Sequence, residues 1–299
     1  MTAFLKALSN LKIEYLENCA MSSYTTFHIG GPADVMITPH GEEQLKQTVS
    51  LAKECGIPFM LLGKGSNVLV SDEGIEGAVI HIAEGFDKIE RAGNNVICGA
   101  GASLAALCGF CLRESLSGLE TAYGIPGSVG GAVYMNAGAY GGEMKDVLVS
   151  VTYMSVDGSI HKACGEELCL SYRKSRFTGT DDVILSAEFA LTCDTADNIR
   201  AKMDDYIGRR KDKQPLNFPS AGSVFKRPEG HFAGALIEQS GLKGYTIGGA
   251  QVSEKHAGFI INIGGATCAD VLALIEHIKK TVFNNFGVEL ESEIIKIGR

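Results

Sequence analysis

Residues 61–74, LLGKGSNVLVSDEG, and residues 123–143, YGIPGSVGGAVYMNAGAYGGE, decide how this chain reads. Each follows or lies among short apolar extended segments, and each gathers glycine where a strand ends. Glycine is the compositional outlier, with 37 among 299 residues against an average usage of roughly 7%. Smaller clusters occur in HIGGPA (28–33), GAGAS (99–103) and PSAGSVFKRPEG (219–230). Glycine loops at strand ends present unhindered backbone N–H groups, which suit phosphate or pyrophosphate. The two common nucleotide motifs are absent. Upstream of Lys64, where a Walker A loop has its first glycine, stand Pro58 and Phe59, and Lys64 is followed by Gly65 rather than Ser or Thr. A Rossmann fingerprint fails because Gly99-Ala100-Gly101 runs on to Leu104, and Gly63-Lys64-Gly65 to Val68. Several such loops among strands imply a long ligand with many main-chain contacts, a dinucleotide rather than a mononucleotide. Tight turns in an α+β protein are the alternative.

Around these loops the periodicity alternates between helix and strand. Residues 42–55 predict a helix with Leu45, Val49 and Ala52 on one face, and Pro58 opens the extended run PFMLL. Residues 78–82, 95–99, 149–156 and 183–191 predict strands. Ser103 caps an apolar helix to Glu114, and a polar helix over 195–211 ends in Arg209, Arg210 and Lys211, cations suited to its dipole. After Lys213 come a glycine loop, a helix near 234–240, a strand near 259–263, a helix over 268–283 and a final strand. This change of pattern predicts a separate C-terminal domain from about residue 193.

Composition bounds the function classes. With 45% hydrophobic and 21% charged residues the chain is expected to fold throughout. The net charge of −8 argues against general nucleic-acid binding. No apolar stretch approaches the roughly 18 residues of a membrane span, and charge interrupts the opening MTAFLKALSNLKIEYLENC before a signal core forms, so the cytosol is the expected location. The nine cysteines form no paired framework. Cys108 and Cys111 have C-x-x-C spacing but no second pair or nearby His, which predicts small core residues on a helix rather than a redox or metal site. No metal site is expected.

Five motifs in fixed order, GKGSNVLVSDEG, GIPGSVGGAVYMNAGAYG, LSYRKSRF, KQPLNFPSAGSVFKRPEG and LESEIIKIG, span nearly the whole chain. Together they resemble the UDP-N-acetylenolpyruvoylglucosamine reductases, and within them the shorter subclass that lacks an inserted substrate-clamping loop and its tyrosine. The resemblance implies an α+β chain with the vanillyl-alcohol-oxidase/PCMH-type FAD-binding fold. That fold has two α/β subdomains (1–83 and 84–192) and a C-terminal α+β substrate-binding domain (193–299). It implies NADPH-dependent, FAD-mediated reduction of UDP-N-acetylglucosamine enolpyruvate to UDP-N-acetylmuramate, a step of peptidoglycan synthesis that serves cell shape and division. No histidine stands where oxidases of the superfamily attach flavin, so the FAD is expected to be non-covalent. No nucleic acid, membrane insertion or obligate protein partner is implied.

Residue by residue, the resemblance assigns cofactor binding to Gly63, Lys64, Gly65, Ser66, Asn67 and Val68, and to Gly124, Ile125, Pro126, Gly127, Ser128, Gly130 and Gly131. Catalysis falls on Arg173, Ser223 and Glu293. A vinyl ether accepts hydride poorly; hydride at C3 drives charge into the carboxylate as an enediolate, which must be stabilised and then protonated at C2. Arg173 offers a permanent planar cation for that carboxylate. Ser223 is the proton donor, adequate because the enediolate is strongly basic. Glu293 is expected to be a neutral carboxyl group kept so by burial. Alternation puts Glu291, Glu293 and Ile295 on one face, so periodicity alone does not separate the two acids. Substrate contacts fall on Tyr172, Lys213, Arg227 and His256. Arg227 stands where longer members carry Asn, and His256 where they carry Gln; Tyr140 has no clean counterpart. A flavin oxidase of the same fold and a non-enzymatic nucleotide-binding module are the competing readings; neither accounts for the C-terminal motifs.

Overall fold

The computed structural model describes residues 1–299, and the chain divides into two compact units. The first comprises residues 1–17, 35–64 and 77–209, and the second residues 18–34, 65–76 and 210–299.

In the first unit, helices α1 (Thr2–Asn10) and α2 (Glu42–Glu54) accompany a four-stranded sheet of β1 (Glu14–Ala20), β2 (Pro32–Thr38), β3 (Phe59–Leu62) and β5 (Ile75–His81), ordered β1-β2-β5-β3. The unit boundaries fall within β1, β2 and β5. Helix α2 forms as its pattern predicts: Leu45, Thr48, Val49 and Ala52 are its buried face, with Glu42 and Glu43 in the first turn and Lys53 in the last. Phe4 and Leu8 of α1, Val35 and Ile37 of β2, Ala52 and Ala78 close one apolar cluster.

A second sheet in this unit is antiparallel, ordered β12-β11-β13-β7-β6. Its strands are β6 (Ile89–Ala92), β7 (Asn95–Gly99), β11 (Leu148–Met154), β12 (Ile160–Cys164) and β13 (Val183–Ala190). Glu188 ties four of them, accepting from Asn95 Nδ2 at 2.8 Å, Ser150 Oγ at 2.8 Å and Lys162 Nζ at 3.1 Å. Helix α3 (Leu104–Arg113) starts at Ser103, whose Oγ accepts from Ala106 N at 3.1 Å, as its sequence predicts. Cys108 and Cys111 of α3 lie buried in the apolar cluster that also holds Cys98. Burial pushes Cys98 and Cys111 up to about 12 and raises Cys108 as well, so these thiols stay protonated and serve as core. The short β8 (Leu116–Ser117) pairs with β14 (Thr192–Cys193), and α4 (Val129–Tyr134) leads to a hairpin of β9 (Gly138–Ala139) and β10 (Gly142–Glu143). Helix α5 (Ala196–Lys213) follows, and the unit boundary between Arg209 and Arg210 falls within it.

The second unit contains α6 (Ala233–Gln239), α7 (Cys268–Phe286) and a three-stranded antiparallel sheet of β15 (Thr246–Ile247), β16 (Ala250–Val252) and β17 (Ile260–Asn262). Beside these, β18 (Ile295–Ile297) pairs in parallel with β4 (Val68–Val70). The unit is more than the C-terminal segment. Phe27, Ile29 and Leu69 are buried in one cluster with Leu236 and Ile237 of α6 and Val271, Leu274, Ile275 and Ile278 of α7, so the early segments complete that core. Asp72 holds the same segment from another side, its carboxylate accepting from Cys268 N at 2.7 Å and Ala269 N at 3.0 Å at the opening of α7. Nor does the basic end of α5 sit wholly in solvent. Arg209 pairs with Asp205 at 2.7 Å, one turn back, whereas Arg210 is only 5% exposed and donates from Nη1 to Gln214 Oε1 at 3.2 Å. No helix is long and apolar enough to cross a membrane.

Candidate active site

The loop after β3 offers main-chain donors in series. The amides of Lys64, Gly65, Ser66 and Asn67 donate to no protein acceptor, while the Gly65 and Asn67 carbonyls accept from Thr26 N at 3.2 Å and Ile295 N at 3.0 Å. Successive free N–H groups with their carbonyls anchored behind form an anion-binding concavity. Gly65 must be glycine: its φ is +59°, and a Cβ there would lie 2.2 Å from the Tyr24 carbonyl oxygen.

In the first unit the second glycine stretch is zipped to residues 99–104. Leu104 N donates to Gly127 O at 3.1 Å, Val129 N to Ala102 O and Gly130 N to Ala100 O, both at 2.8 Å. Ser128, 3% exposed, caps α4 by accepting from Gly131 N at 3.3 Å. Its Oγ would be 2.3 Å from a Cβ on Gly63, so the first loop and the second touch through a position that must lack a side chain. The amides of Gly130 and Gly131 are spent on this shape; those of Gly127 and Ser128 have no protein acceptor. Gly124 (φ +86°) turns the chain ahead of the half-buried Ile125 and the exposed Pro126. Each run of available amides suits phosphate oxygens, and Lys64 adds a cation at the first.

Arg173 sits in a turn whose ends, Ser171 and Lys174, exchange backbone hydrogen bonds of 3.0 and 3.1 Å. Its φ of +56° is a left-handed conformation that a non-glycine residue keeps only where neighbours impose it. Asn136 imposes it. Fully buried, Asn136 donates from Nδ2 to Ser171 O and to Glu143 Oε2, each at 3.0 Å, and accepts at Oδ1 from Lys145 N at 2.9 Å. Arg173 Nη2 reaches Gly138 O at 3.4 Å, and its guanidinium carbon lies 5.1 Å from the centre of the exposed Tyr172 ring. Tyr140, at the tip of the neighbouring hairpin, stacks on Tyr206 of α5 with centroids 5.3 Å apart.

In the second unit, Ser223 and Glu293 belong to one ladder. Ser223 follows Gly222 (φ +77°) and bridges Phe259, while Val224 N donates to Gly258 O at 2.9 Å. On the other side Glu293 N donates to Val224 O at 2.7 Å, and Phe225 bridges Ser292. Buried Val224 and Phe225 anchor the strand and leave Ser223 exposed. The two acids that alternation could not separate differ here. Glu291 is exposed and ion-paired with Lys226, whereas Glu293 is half-buried and its carbonyl accepts from Asn67 Nδ2 at 3.2 Å. The glycine loop is thereby tied to the backbone of the acid.

Among the residues assigned to substrate, His256 accepts at Nδ1 from Gly258 N at 3.1 Å and packs edge-on to Phe259. Burial lowers its pKa, and Lys243 and Lys213 lower it further, so Lys213, at the exposed end of α5, lies within electrostatic reach of it. Arg227 is exposed, its guanidinium stacked 4.0 Å above the Phe232 ring. The sequence reading missed Asn136, Phe232 and the buried Arg210. Asn136 had one signal, its place in MNAG between two glycine runs; the others had none.

The FAD binding domain family profile matches residues 33–163, and that of the UDP-N-acetylenolpyruvoylglucosamine reductase C-terminal domain matches residues 214–297. A UDP-N-acetylenolpyruvoylglucosamine reductase of Clostridium novyi is 50% identical over 287 residues, 96% of this chain and 93% of that protein. The chain belongs to the UDP-N-acetylenolpyruvoylglucosamine reductase family. Within the family, the protein of Geobacillus kaustophilus is 51% identical over 278 residues, covering 93% of this chain and 91% of its own. The crystal structure of the Thermus caldophilus reductase superposes with a TM-score of 0.81 at 38% identity, over 95% of this chain and 98% of that one. A glucooligosaccharide oxidase of Acremonium strictum, 14% identical, gives a TM-score of 0.52 over 97% of this chain and 59% of its own, a likeness of fold alone. The family carries the FAD-binding fold that the motifs imply, with the mixed helices and strands seen here.

Proposed function

We propose that this chain reduces UDP-N-acetylglucosamine enolpyruvate to UDP-N-acetylmuramate in the cytosol, with NADPH as hydride donor and non-covalent FAD, as the peptidoglycan precursor step. The division of labour is 1–83 and 84–192 for flavin and 193–299 for substrate; the FAD binding match within 33–163 and the C-terminal match at 214–297 support a flavin part followed by a substrate part. The observation that carries the reading is the Glu293 amide on the Val224 carbonyl, which sets a carboxyl group and the Ser223 hydroxyl on adjoining strands of one ladder.

FAD, when bound, supplies the two-electron carrier between NADPH and C3 of the enolpyruvyl group. The amides of 64–67 and those of 127–128, with Lys64, would hold its phosphates; Gly63 lets the two loops approach, Gly130 packs on Ala100, Gly131 donates its N–H to the Ser128 cap, and Val68, Gly124, Ile125 and Pro126 border them. As hydride adds at C3, the double bond's electrons move into the carboxylate, and Arg173 neutralises the charge there. The Glu293 carboxyl group donates a hydrogen bond to the same enediolate. Ser223 then delivers its proton to C2, leaving the saturated lactyl ether, and regains one from solvent. Tyr172, Lys213, Arg227 and His256 bind the sugar nucleotide, Lys213 and Arg227 through charge on its diphosphate. The test is NADPH oxidation under anaerobic conditions. It should start on addition of UDP-N-acetylglucosamine enolpyruvate; a rate that requires oxygen instead would defeat the proposal and indicate an oxidase.

A further inference from the structure

His81 closes β5 directly opposite Leu62, the last residue of β3, in parallel register. Ile82 N donates to Leu62 O at 2.9 Å, fixing the end of β5 beside the point where β3 gives way to the glycine loop. The half-buried His81 ring is hydrogen-bonded to the Gly63 backbone. That bond favours the protonated ring, so the imidazole N–H donates and the Gly63 carbonyl accepts. Gly63 itself has no room for a side chain, because a Cβ would lie 2.3 Å from Ser128 Oγ. The entry to the loop is therefore held by the His81 hydrogen bond and closely packed at Gly63.

In a trans peptide the C=O and the following N–H are coplanar and point opposite ways. Fixing the Gly63 carbonyl toward β5 aims the Lys64 amide, first of the four available donors, away from it. We propose that His81 is a positioning residue for the flavin: by holding the Gly63 carbonyl it presets the loop amides for the pyrophosphate. This rests on the reading that the loop binds FAD. Burial and the neighbouring Lys64 lower the ring's pKa. A neutral imidazole has one N–H, which Gly63 takes, and Lys64 remains the cation of the segment GKGSNV.

The test titrates flavin-free parent, His81→Phe and His81→Gln proteins with FAD, following quenching of flavin fluorescence, with melting of each flavin-free protein alongside. His81→Phe should weaken FAD binding about tenfold, the effect of one hydrogen bond to a preorganised loop. His81→Gln, which keeps a donor, should recover most of it, and the flavin-free proteins should melt alike. Unchanged affinity in His81→Phe overturns the proposal, as does equal weakening in both variants with equally lowered melting, the mark of a merely structural residue. A parent protein that takes up no FAD overturns the loop reading itself, and the role of His81 with it.

Discussion

Glu293 donates its backbone N–H to the carbonyl of Val224 at 2.7 Å, so the acid is held one residue from Ser223 by main chain alone. Side-chain substitutions at either position leave that link intact and report on chemistry. Ser223→Ala is expected to leave reduction of bound FAD by NADPH nearly unchanged and to slow reoxidation by substrate by ~10²–10⁴. Stopped-flow absorbance of the flavin separates the halves; equal loss in both would remove Ser223 from proton transfer. Glu293→Gln, which still donates a hydrogen bond, should lose less than Glu293→Ala.

Asn136 holds the Ser171 end of the turn that carries Arg173. Its amide makes three hydrogen bonds inside a fully buried site, so Asn136→Ala is expected to cost about 2–3 kcal/mol of stability. It should also lower kcat more than KM rises, because the turn that presents the guanidinium loses its support. Denaturant unfolding and steady-state kinetics check the two effects; a destabilised variant with parental kcat would disconnect Asn136 from Arg173.

Gly65 answers for the loop geometry. In Gly65→Ala the new Cβ would meet the Tyr24 carbonyl oxygen at 2.2 Å on a backbone with φ +59°, a backbone clash that no side-chain rotation relieves. The purified variant should be paler than the parent, with a lower ratio of flavin to protein absorbance. Full flavin content would show that the loop can deform without losing the cofactor.

Glu188 gives the pH dependence. Its hydrogen bonds from Asn95, Ser150 and Lys162 hold its carboxyl below the usual glutamate range. With the folded pKa depressed, its stabilisation is complete above the unfolded value of about 4.3 and is lost as pH falls through the lower folded value. Glu188→Gln should therefore melt below the parent at pH 7, with the gap closing under about pH 4. A gap that stays constant across that range would mean that the carboxylate charge contributes nothing.

Much of the fold is legible in local pattern. The strand Asn95–Gly99 has the bounds its sequence predicts, and α2 and the Ser103 cap of α3 form as read. Hydrophobic period and turn chemistry are properties of neighbours along the chain, so they survive without knowledge of the fold. The motifs carried the family for the same reason, since each is a contiguous run.

What the sequence alone determined, then, was the set of strands, helices and glycine loops, and through the ordered motifs the kind of reaction. Only tertiary structure decided that residues 18–34 and 65–76 complete the core of the second unit, that Arg210 is buried while Arg209 is not, and that Lys226 claims Glu291 while Asn67 holds the backbone of Glu293. These choices depend on groups far apart in sequence; the tie between Asn67 and Glu293 alone spans 226 residues. Burial and hydrogen-bond satisfaction act between such groups only once the chain has folded, and nothing in the period of either partner encodes the other.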